Sequence, residues 1–174
     1  MKSNPMWAEL IQLVPVVSLA FPIVMSGNVD LSSMGTAFVV ATALAVVVHG
    51  LIWFRGLTLN PILVGTALWL AAGALAFGVP IAPLANLIAH TQALGIFAAA
   101  LCVGVVTTAA SPAGYIGMRS VDTLWVRQAS LGLLALTALI VAWAAVFQHD
   151  VRLGGGLPFI VLNVARRAAI ARHR

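Results

Sequence analysis

Four long apolar runs of this chain, among others, contain no Asp, Glu, Lys or Arg: Met34 to Phe54, Pro61 to Phe77, Leu84 to Thr108 and Ala129 to Phe147. A surface helix in water needs a polar outer face, and these runs offer none. A run of about 20 apolar residues instead matches a hydrocarbon layer roughly 30 Å thick, at about 1.5 Å of rise per residue. Lipid gives backbone groups nothing to bond, so a crossing segment must satisfy its own N–H and C=O groups, as a helix does. The expected fold is all-α, a polytopic integral membrane helical bundle. Composition agrees: 62% of the 174 residues are hydrophobic and 7% charged, with a mean hydropathy of +1.09. An ordinary soluble domain carries roughly a quarter charged residues.

One transmembrane domain over residues 1–174 is expected, with six segments near 7–26, 33–54, 60–77, 83–108, 121–147 and 157–171. The first holds Glu9, Pro15 and Pro22. A cleaved secretory signal has a similar outline, but an acidic residue in the charged region and prolines in the apolar core favour a retained helix. At 3.6 residues per turn, Gln12, Pro15, Ser18, Pro22 and Ser26 share a face. Prolines free carbonyls that neighbours must re-satisfy, so this face should meet protein, with a bend near Pro15 or Pro22. Gly27 to Asp30 reads as a turn, with Ser32 or Ser33 capping the second helix. Asn60-Pro61 is a helix start, an Asn cap followed by proline where its missing N–H costs nothing. Gly65 and Gly73 suit close helix approach, and Gly78 to Pro83 makes the next turn.

The longest polar connection follows Thr108. It contains Ser111-Pro112-Ala113-Gly114 and a Gly-x-x-Gly pair, Gly114 and Gly117, which alone is a weak phosphate signal. It reads as a solvated interfacial corner, with Ser120 as a helix cap and Arg119, Asp122 and Arg127 as a local charge group. The last segment is short, since only Leu157 to Ala165 is apolar before Arg166 and Arg167. The glycines ahead of it, Gly154 to Gly156, read as flexible.

Charge sets the threading. With six crossings and the N-terminus inside, Lys2, Arg55, Arg119, Arg127, Arg166, Arg167, Arg172 and Arg174 lie on the inner side, and only Arg152 outside. Cytoplasmic connections are enriched in Lys and Arg, so both termini are expected in the cytoplasm. Five crossings would erase the bias. Trp7, Trp53 and Trp125 fall at the inner interface and Trp143 near the outer one, as aromatic belts do. The net charge of +5 is therefore an orientation signal and not a nucleic-acid footprint, although the tail arginines also suit anionic headgroups. A bacterial cytoplasmic membrane is the expected location, with the lipid bilayer as partner.

Little chemistry is on offer. Glu9, Asp30, Asp122 and Asp150 all lie at membrane edges, which argues against an aspartyl protease or a carboxylate proton relay. Cys102 stands alone, and no Ser-His-Asp, HExxH or CxxC spacing occurs. The expectation leans away from an enzyme, and no motif names a cofactor. A histidine inside an apolar run is a functional-site candidate, because lipid gives its ring nitrogens no partner. His90, with Asn86 one turn earlier, is expected to face the bundle. Together with Gln12 and Ser18 it would line an outer-half cavity for a small-molecule ligand. The bland alternative is a packing seam and a core histidine satisfied by its neighbours. His49 reads as an interfacial side chain bonded to water or headgroups. Solute binding or transport is the expected function. Two alternatives stand beside it: a non-catalytic partner subunit or assembly factor, or an intramembrane redox protein using His90 and His149. The first alternative would bind a membrane protein or a second copy through small-residue helix faces.

Overall fold

The computed structural model describes residues 5–19, 31–79, 81–118, 120–148 and 150–173. Among these residues every regular element is helical. Helix α1, Met6–Ile11, ends at Gln12, and residues 14–19 are helical again. Pro15 has no N–H to offer the carbonyl of Ile11, and the chain tightens ahead of it. Leu13 N–H donates to Leu10 O at 3.0 Å, and Val16 N–H to Leu13 O at 3.0 Å. The expected bend thus falls just before Pro15. Gln12 and Pro15 are buried and Ser18 half-buried, so this stripe meets protein. Pro22, Ser26 and the turn from Gly27 to Asp30 lie outside the described residues.

Helices α2 (Leu31–Phe54), α3 (Pro61–Gly78), α4 (Ala82–Ala110) and α5 (Thr123–Val146) follow. A π-helical turn, Val151–Gly156, then runs directly into α6, Leu157–Arg172. Ser32 and Ser33 lie inside α2 rather than ahead of it. Among the described residues five helices are long and apolar enough to cross a membrane: Met34–Phe54, Pro61–Gly78, Ala93–Ala110, Thr123–Val146 and Arg152–Arg172. A shorter apolar helix covers Trp7–Leu19. The protein is a helical, multi-pass membrane protein. The glycines expected to be flexible are wound into helix, and they lengthen the last apolar segment to 21 residues. Asp150 explains why the turn holds: its carboxylate accepts from Arg152 N–H at 2.8 Å and from Leu153 N–H at 3.0 Å.

The chain divides into two compact units. One comprises residues 4–59 and 66–90. Here α2 buries Phe38, Ala41, Ala45, Val48 and Ile52, spaced three and four apart, while Val39, Val40, Val46 and Val47 are exposed. Both faces are apolar, as a helix surrounded by lipid requires. At Gly73 the missing side chain admits the ring of Phe38, which stacks on Phe77 at 5.7 Å. Ala8 of α1 packs with Val48 and Ile52, and the Arg55 guanidinium sits 5.5 Å from the centre of the Trp7 ring, within cation–π range.

The other unit comprises residues 60–65 and 91–173. Asn60 starts α3 as expected, its Oδ1 accepting from Ile62 N–H at 3.1 Å. Its Nδ2 donates to Asn163 Oδ1 of α6 at 3.3 Å. Gly65 lies against the backbone of Ala100, where any side chain would collide. Small residues permit this approach in lipid, where close packing drives helix association. Ile62, Phe97, Ala100, Tyr115, Leu133, Ile140, Ala144 and Leu162 form the core.

Candidate functional site

The four side chains singled out from sequence are placed as follows. Gln12 is buried, and its Nε2 donates to Ala8 O at 2.8 Å. Ser18 Oγ donates to Pro15 O at 2.8 Å, within its own helix. Asn86 and His90 are both exposed on α4, one turn apart. His90 Nδ1 lies 2.7 Å from Asn86 O. A carbonyl only accepts, so Nδ1 is the donor. Asn86 does supply His90 with a bond, through its backbone. Both residues precede the apolar window Ala93–Ala110, so they sit on the part of α4 that extends beyond it.

His49 differs from its interfacial reading. Its Nδ1 donates to Ala45 O at 2.7 Å, and its Nε2 is enclosed by protein rather than turned to headgroups. His149 and Arg119 lie outside the described residues. Among those described, no group of three or more His, Cys, Asp or Glu is placed to hold a metal.

A different cluster is buried in the unit containing α5 and α6, and it begins in the connection expected to be solvated. Gly114, Tyr115, Ile116 and Gly117 are all buried. The local sequence explains the inward fold. Ser111 Oγ accepts from Ala113 N–H at 3.2 Å and Gly114 N–H donates to Ser111 O at 3.0 Å, tightening the turn. Gly117, at φ 68°, then ends it: its N–H donates to Gly114 O at 3.2 Å, and Met118 N–H donates to Ala113 O at 3.2 Å. This pair of bonds is a Schellman motif, which needs a left-handed residue and takes glycine for it. Gly114, at φ 56°, is the second such position, and a side chain there would strike Ser130 Oγ.

The inward turn is held from two helices. Ile116 N–H donates to Ser130 Oγ of α5 at 3.2 Å, and Arg166 Nε of α6 donates to Ile116 O at 2.9 Å. Arg166 is only 3% exposed, although it lies within the apolar segment Arg152–Arg172. The Tyr115 ring covers Gly104 of α4, where an added Cβ would come within 2.9 Å of it. Its hydroxyl lies 3.3 Å from Thr137 Oγ1, well inside α5. Thr137 already donates to Leu133 O at 2.8 Å, so Tyr115 is the donor in this pair. Burial pushes the Tyr115 phenol up to about 12, against smaller opposing effects from Thr137 and Arg166. The phenol therefore stays neutral and can donate throughout the physiological range.

Arg166 and Tyr115 escaped the sequence reading for separate reasons. An arginine beside Arg167 at the end of a short apolar run looks like a pair of snorkelling charges. The signal that distinguishes them is periodic: Pro158, Leu162, Arg166 and Ile170 form one buried stripe on α6, and Arg167 is exposed. Likewise Ser130 and Thr137, seven apart, are the polar members of the buried stripe of α5. Asp122, not Ser120, caps that helix by accepting from Trp125 N–H at 2.9 Å. Ser120 accepts from Asp122 N–H and meets His173 Nε2 at 3.1 Å, and the His173 ring stacks on Trp125 at 3.8 Å.

The cluster offers a guanidinium, a neutral phenol donor and two hydroxyls, in a setting shielded from lipid. In the structure these groups bond one another and the backbone: Arg166 to Ile116 O, Tyr115 to Thr137 and Thr137 to Leu133 O. Among the described residues the cluster includes no carboxylate or thiol. No known protein family, curated protein or solved structure matches this chain.

Proposed function

We propose that this protein is a small solute-binding or transport protein of a bacterial cytoplasmic membrane, with both termini on the cytoplasmic side. One observation carries the reading: Arg166 is buried inside an apolar membrane segment and held against the inward turn at Ile116. Ionisable side chains within such segments are expensive, face the bundle interior and commonly mark solute or ion paths. A guanidinium selects carboxylate or phosphate oxygens, so the solute class is a small organic or inorganic anion. The test uses the full chain in mild detergent with inorganic phosphate and a set of short carboxylates. A binding solute raises the melting temperature of the wild type, and Arg166→Gln abolishes that rise while Arg166→Lys retains part of it. A solute-induced rise left intact in Arg166→Gln, or no rise with any anion, sinks the reading and leaves Arg166 as a clamp on the turn.

A second reading, a non-catalytic partner subunit, is favoured by the exposed Asn86 and His90 pair on the extension of α4. It requires a membrane protein that co-purifies in fixed stoichiometry and is lost in Asn86→Ala/His90→Ala. Retention of that protein by the double variant counts against it.

A further inference from the structure

The end of the molecule where α5 begins and α6 finishes carries a second feature, independent of the buried cluster. The two helix ends are held together there. Ile116, Val126 and Ile170 pack as one group with Trp125 and Ala169, and His173 is fixed by its stack on Trp125 and its bond to Ser120. Around this joint Arg127, Arg167 and Arg172 are exposed. Asp122, the acid nearest to Arg127 in sequence, accepts from Trp125 N–H through its Oδ1. The neighbouring residues split roles: Arg166 turns inward to Ile116 O, and Arg167 turns outward.

We infer that this end is a binding surface for anionic phospholipid headgroups, built by Arg127 of α5 with Arg167 and Arg172 of α6 around the Trp125–His173 stack. Three observations select lipid as the occupant. The arginines lie at the start of one membrane segment and the end of another, the depth at which headgroup phosphates sit. A half-buried tryptophan marks the same level, as interfacial aromatics do. The surface is cationic from two elements, and basic sites between membrane helices bind anionic headgroups. The geometry of the joint matters: the stack and the apolar group fix α5 against α6, so the guanidiniums form a standing surface and not a loose tail.

The experiment measures lipid retained by the purified full chain, by native mass spectrometry after equilibration in mixed micelles of phosphatidylglycerol and phosphatidylcholine. Wild type is expected to retain phosphatidylglycerol in preference. Arg127→Gln and Arg172→Gln should each lower that retention about fivefold, the factor corresponding to ~1 kcal/mol per arginine near a charged surface. Arg152→Gln, beyond the other end of α5, should leave retention unchanged. Inorganic phosphate added as a competitor should not displace the lipid. Equal retention of the two lipids, equal loss in Arg152→Gln, or displacement by phosphate alone would each overturn the inference. Melting curves of the variants, expected to match wild type because these side chains are exposed, separate lost binding from lost folding.

Discussion

Tyr115 is the only tyrosine in the chain, so its ionisation can be followed without interference. The phenol is buried beside Thr137, whose own proton is committed to Leu133 O. Deprotonation would remove the donor and place an anion in an apolar core, which is why its pKa is raised to about 12 from the usual 10.0. The folded protein therefore holds this proton more tightly than the unfolded chain, and stability declines as pH rises between those two values. Below the unfolded value the contribution is complete. Ultraviolet titration of the phenolate should show a midpoint near 12 in the folded protein and near 10 after denaturation. Tyr115→Phe should remove the fall in stability across that window. A folded-state midpoint near 10 would show that the ring is open to solvent. Little of this was legible in the sequence. Ser111-Pro112 and the two glycines announced a turn, but no local pattern says whether a turn faces water or protein; that depends on Ser130 and Arg166, supplied from two later helices.

Among the elements, helix ends with local chemistry were readable, and so were the apolar helices themselves, but not which of their faces is buried. Asn60-Pro61 specifies a helix start by itself, through a side-chain acceptor and a residue with no N–H to lose. The break ahead of Pro15 follows from the same missing donor. By contrast, α2 buries Ala41 and Ala45 and exposes Val46 and Val47. In lipid the outer face is as apolar as the inner one, so the period that betrays a helix face in water is erased. The π-helical turn was missed because three consecutive glycines favour freedom, whereas Asp150 supplies the acceptor that overrides it. Asp150→Ala should destabilise the protein by about 0.5–2 kcal/mol, the usual effect of a lost cap. Asp150→Asn keeps the acceptor and should melt close to wild type. Indistinguishable melting of the alanine variant would show that the turn is held by packing alone.

At the scale of the whole molecule, the membrane class and four of the crossing segments follow directly from charge-free runs, whereas the last one, Arg152–Arg172, carries four arginines and is longer than its apolar run suggested. Orientation rests on the distribution of nine basic residues and on the positive-inside rule. In a Cys102→Ala background, a cysteine at Asp150 should react with an impermeant maleimide added to intact cells, and one at Arg172 only after the cells are opened. The reverse pattern would invert the protein and move the arginine surface to the outer leaflet. The bond from Arg166 to Ile116 has a bearing on biogenesis as well. It joins residues fifty positions apart, so the turn between α4 and α5 is made before the helix that secures it. Until α6 arrives, the carbonyl of Ile116 has no guanidinium. An unbonded carbonyl in an apolar setting is unfavourable by several kcal/mol. The newly made turn should therefore keep the Ile116 carbonyl open to water and pack against α5 only when the final helix is released to it, making α6 the piece that closes the structure.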